Sequence, residues 1–164
     1  MLRRPDLAGS ALAAALCLVA GAASAHETCQ SPYLPRLQGQ EDFVYVWTLG
    51  IEGLGDGSDK LVTVGANPAR PEYGKVVSSV SVPGRHEAHH AGFTDDRRML
   101  WAGGLDDSAI FVFDVHSDPS RPKLVKTIGD FVERSGGVVG PHTFYALPNR
   151  MLITGLSNSQ DWGG

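Results

Sequence analysis

From Asp42 onward the chain alternates short apolar, β-branched runs with clusters of Gly, Pro, Asn and Asp. Phe43–Trp47, Lys60–Val64, Val76–Val82 and Ala109–Val115 are each of strand length, and each is bounded by turn residues. That is the pattern of β-strands packed on at least one face. No stretch beyond Ala25 sustains the apolar period of a helix, so helices should be few. The pattern predicts an all-β chain.

The segment from Met1 to Ala25 obeys a different rule. Arg3 and Arg4 precede Ala11–Ala23, a run without a charge, and the small-residue site Ala23-Ser24-Ala25 closes it. A basic start, an apolar centre and an A-x-A site together make an export signal. The apolar run is shorter than the roughly 20 residues that a membrane-spanning helix needs. The reading is a signal peptide over positions 1–25, cleaved after Ala25, and a periplasmic or secreted protein with no membrane association once the signal is gone. The whole chain carries 14 Lys and Arg against 18 Asp and Glu, and losing Arg3, Arg4 and Asp6 with the signal leaves it more acidic still. Such a balance repels a phosphate backbone and argues against a nucleic-acid partner. Cys17 leaves with the signal, so Cys29 is the single remaining thiol. In an oxidising compartment it cannot staple its own chain. It is incidental, paired between subunits of a homo-oligomer, or a candidate thiol ligand.

Self-comparison reveals a repeat. His90-Ala91-Gly92-Phe93 through Arg98-Met99-Leu100-Trp101-Ala102-Gly103 returns 52 positions later as His142-Thr143-Phe144-Tyr145 through Arg150-Met151-Leu152-Ile153-Thr154-Gly155. Asn67-Pro68-Ala69-Arg70-Pro71 returns as Asp118-Pro119-Ser120-Arg121-Pro122 at an offset of 51. A unit of about 50 residues holding four strands is the size of a β-propeller blade. The Pro-rich pentapeptide is then the loop between two neighbouring strands of one blade. A propeller closes with at least about four blades, whereas the chain after the signal supplies fewer than three. The expectation is an incomplete β-propeller, positions 26–164 being the N-terminal blades of a longer protein; a small self-contained sandwich is the alternative.

Histidines stand at 26, 86, 89, 90, 116 and 142, three of them within Arg85-His86-Glu87-Ala88-His89-His90. Imidazole is a common ligand for borderline metals. His90 and His142 occupy matching places in successive repeats, and matching strand starts in a propeller converge on the central channel, so the two rings could share one ion. His89 and His90 cannot both face that ion from a regular strand, because successive side chains alternate faces. They converge only if the backbone is still in the loop at that point, an irregular strand entry that Gly92 just beyond would tolerate. His86 and Glu87 are then candidates for orienting a ligand ring. The competing reading is a polar loop of solvated histidines. His116 lies in the Pro-rich turn, and His26 offers only the generic copper chelation of an N-terminal histidine.

Other motifs exclude chemistry. Gly50–Gly57 lacks the lysine and following helix of a phosphate loop, and no Gly-x-Ser-x-Gly elbow occurs. Asp95-Asp96 and Asp106-Asp107 read as turn aspartates that bond local backbone.

Five segments in order resemble the selenium-binding protein family, whose bacterial members include copper-dependent methanethiol oxidases. They are Cys29-x-Ser31-Pro32 with Glu41-x-x-Val44-Tyr45; His89-His90-x-Gly92; Ser108-x-Ile110-x-Val112-x-Asp114-Val115; Pro119-x-x-Pro122-Lys123-Leu124 with Lys126 and Ile128; and Pro141-His142-Thr143 leading to Leu147-Pro148. The resemblance implies a larger propeller that binds copper through histidines. It also implies an oxidoreductase that turns methanethiol, oxygen and water into formaldehyde, hydrogen sulfide and hydrogen peroxide. Carried over by position, His89, His90 and His142 would be metal ligands, with further ligands on other blades and a small thiol as substrate. Tyr145 stands where the family usually has another histidine, and Thr94-Asp95-Asp96-Arg97 replaces a cysteine-bearing segment, so selenium attachment through those thiols is not implied. The other reading of the same residues is a non-catalytic exported propeller that binds metal or a protein partner.

Overall fold

The computed structural model describes residues 31–161. The expected signal peptide over positions 1–25, His26 and Cys29 lie outside the described residues. Strands β1 (Phe43–Thr48), β2 (Lys60–Gly65) and β3 (Val76–Ser81) form one sheet in that order. Strands β4 (Ala88–Phe93), β5 (Met99–Gly104), β6 (Ile110–Asp114) and β7 (Lys123–Ile128) form a second, and β8 (Val138–Leu147) pairs with β9 (Arg150–Asn158). One short helix, α1 (Phe131–Arg134), links the last two sheets. Every strand pair is antiparallel and joins sequence neighbours.

The second sheet is a complete four-stranded blade of a β-propeller. The two Pro-rich pentapeptides lie between β2 and β3 and between β6 and β7, so β1–β3 correspond to β5–β7. The longer echo makes β8 and β9 the counterparts of β4 and β5. The described residues are thus parts of three successive blades. β8 packs beside β4 and β5, and β1 packs beside β4.

Side-chain pattern explains this layering. β2 alternates buried and half-buried positions, as a sheet with two unequal faces does. In β6, Ile110, Phe111, Val112 and Phe113 are all buried, because this strand has its own sheet on either side and another sheet against its face. The core joins the first two blades: Leu61 and Val82 from one meet Leu100, Ala102, Phe111, Phe113 and Val115 from the other. Trp47 seals the seam, its ring 5.7 Å from Phe111 and 5.8 Å from Phe113. Its indole N–H donates to the Gly103 carbonyl at 2.9 Å. Two further bonds cross the same seam, from the Tyr45 hydroxyl to the Pro119 carbonyl at 2.8 Å and from the Ser78 hydroxyl to the Ser120 carbonyl at 2.7 Å. Across the next seam, Gly92 and Gly103 lie so close to Phe144 and Pro141 that a Cβ on either would collide with backbone. Glycine here lets β4 and β5 approach β8.

Candidate metal centre

The seam between β4 and β8 holds the histidines. Ala88 pairs with Gly104 and Ala91 with Ala102, so His89 and His90 together face the single residue Gly103. Pro141 pairs with Gly155 and Phe144 with Ile153, so His142 and Thr143 together face Thr154. Each is a β-bulge with one extra residue, which re-aims side chains that a flat strand would send to opposite faces. The irregularity needed to bring His89 and His90 together is therefore inside β4. It is not in a preceding loop. His142 likewise sits within β8, which begins at Val138, where the repeat suggests a strand start. Counted from the hairpin ends His142 matches His90; counted from the bulges it matches His89.

The result is a compact triad of imidazoles. The Nε2 atoms of His89 and His142 are 3.2 Å apart. Ring centroids stand 4.6 Å apart for His89 and His90, 4.3 Å for His90 and His142, and 4.9 Å for His89 and His142. One donor nitrogen from each lies within 4.8 Å of the others. Two imidazole nitrogens each about 2.0–2.1 Å from a tetrahedral ion stand about 3.3 Å apart, so the His89–His142 spacing fits a shared ion. The donor set, three imidazoles, suits a first-row transition metal such as copper or zinc.

Electrostatics prepare His90 for coordination. Burial, followed by the neighbouring His142 and His89, holds its pKa below the usual imidazole value. A neutral ring keeps the lone pair that a metal needs. Glu87, just ahead of the bulge, has its carboxyl pushed up by a hydrogen bond and repulsion from Asp106, with His89 and Arg85 opposing.

His86 makes no hydrogen bond to the triad. Its Nδ1 lies 2.6 Å from a carboxylate oxygen of Asp107 and its Nε2 lies 2.7 Å from the Pro83 carbonyl. His116 is exposed in its turn, its backbone N–H donating to Asp114. Two residues that the sequence reading did not single out for the site support it. Asp59, fully buried, accepts from the Gly50 N–H at 2.7 Å and the His86 N–H at 3.0 Å. Asp107 bonds local backbone at Ala109, as a turn aspartate should, and in addition holds His86. Asp59 sits at the end of a polar loop with no motif around it, so no local signal marked it.

Comparison with known proteins assigns the chain to a family. Residues 24–163 match the family described as 56kDa selenium binding protein (SBP56). The chain is 66% identical over 142 residues to a methanethiol oxidase of Ruegeria pomeroyi, covering 87% of this chain and 33% of that protein. It is 58% identical over 165 residues to a methanethiol oxidase of Hyphomicrobium sp, covering 99% of this chain and 37% of the relative. Among solved structures, a hypothetical selenium-binding protein from Sulfolobus tokodaii superposes with a TM-score of 0.64 at 26% identity, over 75% of this chain and 30% of that one. The chain thus spans about a third of the length of these curated relatives. With a family match across nearly all of its length and its blades superposable on a solved member, this chain belongs to the selenium-binding protein family.

Proposed function

We propose that this chain carries copper-binding blades of an exported oxidase of small thiols, which converts methanethiol, oxygen and water into formaldehyde, hydrogen sulfide and hydrogen peroxide. The carrying observation is the imidazole triad, with two Nε2 atoms 3.2 Å apart on neighbouring blades. The names of the two bacterial relatives support the activity. In this reading His89, His90 and His142 hold the metal. Bound copper supplies thiophilic Lewis acidity and one-electron redox chemistry. The chain's own part is positional: the paired bulges aim three imidazole rings at one point, and the glycine seam keeps β4 and β8 close enough for those rings to meet. Export rests on the pattern of Arg3, Arg4, Ala11–Ala23 and Ala23-Ser24-Ala25.

The test compares the full-length protein with a His89→Ala, His90→Ala double variant for copper content and methanethiol-dependent oxygen uptake. The proposal expects both to vanish in the variant. A variant that keeps copper and activity overturns it.

A further inference from the structure

The lead-in to β4 contains a second constellation that the thiol chemistry does not use. His86 lies where three loops of two blades meet. Its backbone N–H is held by Asp59 at the end of the β1–β2 loop, and its backbone carbonyl accepts from the Asp106 N–H at 3.2 Å. Its ring rests on Phe111 with centroids 4.9 Å apart, and its Cβ packs where Gly104 leaves no room for another. Both ring nitrogens face acceptors, the Asp107 carboxylate at 2.6 Å and the Pro83 carbonyl at 2.7 Å. A neutral imidazole has a single N–H, so making both bonds as donor requires the imidazolium. The next residue, Glu87, adopts a left-handed backbone with φ 57°, and the bulge that turns His89 and His90 follows at once. The backbone conformation that aims the triad is thus held from one side by His86.

We infer that His86 is a positioning residue for the metal centre: its ring, bridging Asp107 and Pro83, clamps the lead-in to β4 in the conformation that directs His89 and His90 towards His142. This rests on the copper reading above. The clamp is strongest while both ring nitrogens carry protons, and it slackens when one proton leaves and either Asp107 or Pro83 loses its donor. Burial works against the charged ring, but the bonds to Asp107 and Pro83 and the carboxylates of Asp107 and Asp59 outweigh it and raise the pKa. The other charged groups beside it are Arg85 and Glu87 on its own segment and Asp106 on the β5–β6 turn. Glu87 and Asp106 engage each other.

The test is copper affinity of the full-length protein, measured by competition with a chromophoric chelator from mildly acidic to alkaline pH, for wild type, His86→Ala, Asp107→Asn and His142→Ala. Loss of a group that orients a metal ligand typically costs about 10–100-fold in metal affinity, and His86→Ala should fall in that range with all three ligands present. Asp107→Asn keeps an acceptor but removes its charge, so the ring gives up its proton sooner and the alkaline decline in affinity should begin at lower pH. A purely structural role would not move that limb. Wild-type affinity in a folded His86→Ala, or an unshifted profile in Asp107→Asn, overturns the clamp; if His86→Ala does not fold, the Asp107→Asn profile decides. His142→Ala separates the two ideas. Copper lost there but kept in His86→Ala removes the clamp alone, whereas copper kept in both removes the metal reading.

Discussion

His89 and His142 meet nitrogen to nitrogen at 3.2 Å across a seam between blades, though 53 positions separate them in the chain. Each arrives through a bulge of a single extra residue, in strands that are counterparts in successive blades. A single bulge would rotate one ring toward the seam and leave the other on a regular face. The paired bulges are what make a shared ion feasible.

Replacing His142 with Ala should therefore abolish shared coordination without disturbing the fold. Its ring is half-exposed and touches His89, His90 and the Thr143 hydroxyl. Copper affinity by isothermal titration should drop at least as far as the roughly 10–100-fold seen when an orienting group is removed. The melting temperature of the chelator-treated protein should stay at the wild-type value. Undiminished binding would place residue 142 outside the centre.

Gly92→Ala tests the seam itself. The new methyl would meet the Phe144 carbonyl and Cβ, so β4 must move away from β8. Overpacking of this kind costs about 1–3 kcal/mol, readable as a lower denaturant midpoint. Because the displaced strand carries His89 and His90, copper affinity should fall with stability even though no ligand has changed. A destabilised variant with intact affinity would show that the triad tolerates a wider seam.

Much of this architecture was legible in the chain. β-branched runs marked β1, β2, β3 and β6, and the two Pro-rich pentapeptides found their loops, because strand patterning and turn chemistry are local properties. The recurrence of Arg98–Gly103 as Arg150–Gly155 identified the blade repeat and brought His90 and His142 into register. The bulges were not legible. Whether Gly103 faces one residue or two depends on how β5 and β4 settle against β8, which is a contact between blades. The same holds for Asp59, whose two backbone partners lie 9 and 27 positions away. His86 was picked out for its neighbourhood, but its partner Asp107 read only as a turn residue, since a turn aspartate has no spacing that reveals a second bond.

Acidity should act on the centre through His90. Its folded pKa lies below the ordinary 6.5, so protons favour the unfolded chain. The stability it contributes is present above pH 6.5 and is lost as pH falls from there through the folded value. In metal-free protein, melting temperature should decline over that window, and His90→Gln should flatten the decline. His86 has the opposite sign, with a raised pKa whose contribution is full below 6.5 and lost as pH rises through the folded value. An acid limb unchanged in His90→Gln would assign the decline to other groups.

Trp47 connects the first blade to this same centre. Its indole N–H donates to the carbonyl of Gly103, the residue that stands opposite the His89–His90 bulge. Trp47→Phe would keep an aromatic ring against Phe111 and Phe113 while removing that donor. Losing a hydrogen bond of this kind costs about 0.5–1.5 kcal/mol, which chemical denaturation would register. Gly103 would also lose the tether that fixes β5 beneath the bulge, so copper affinity should weaken, by less than in His142→Ala because all three imidazoles remain. A stability loss of that size with unchanged affinity would mean that pairing to β6, which holds Gly103 against Ile110, is enough to keep the bulge in place.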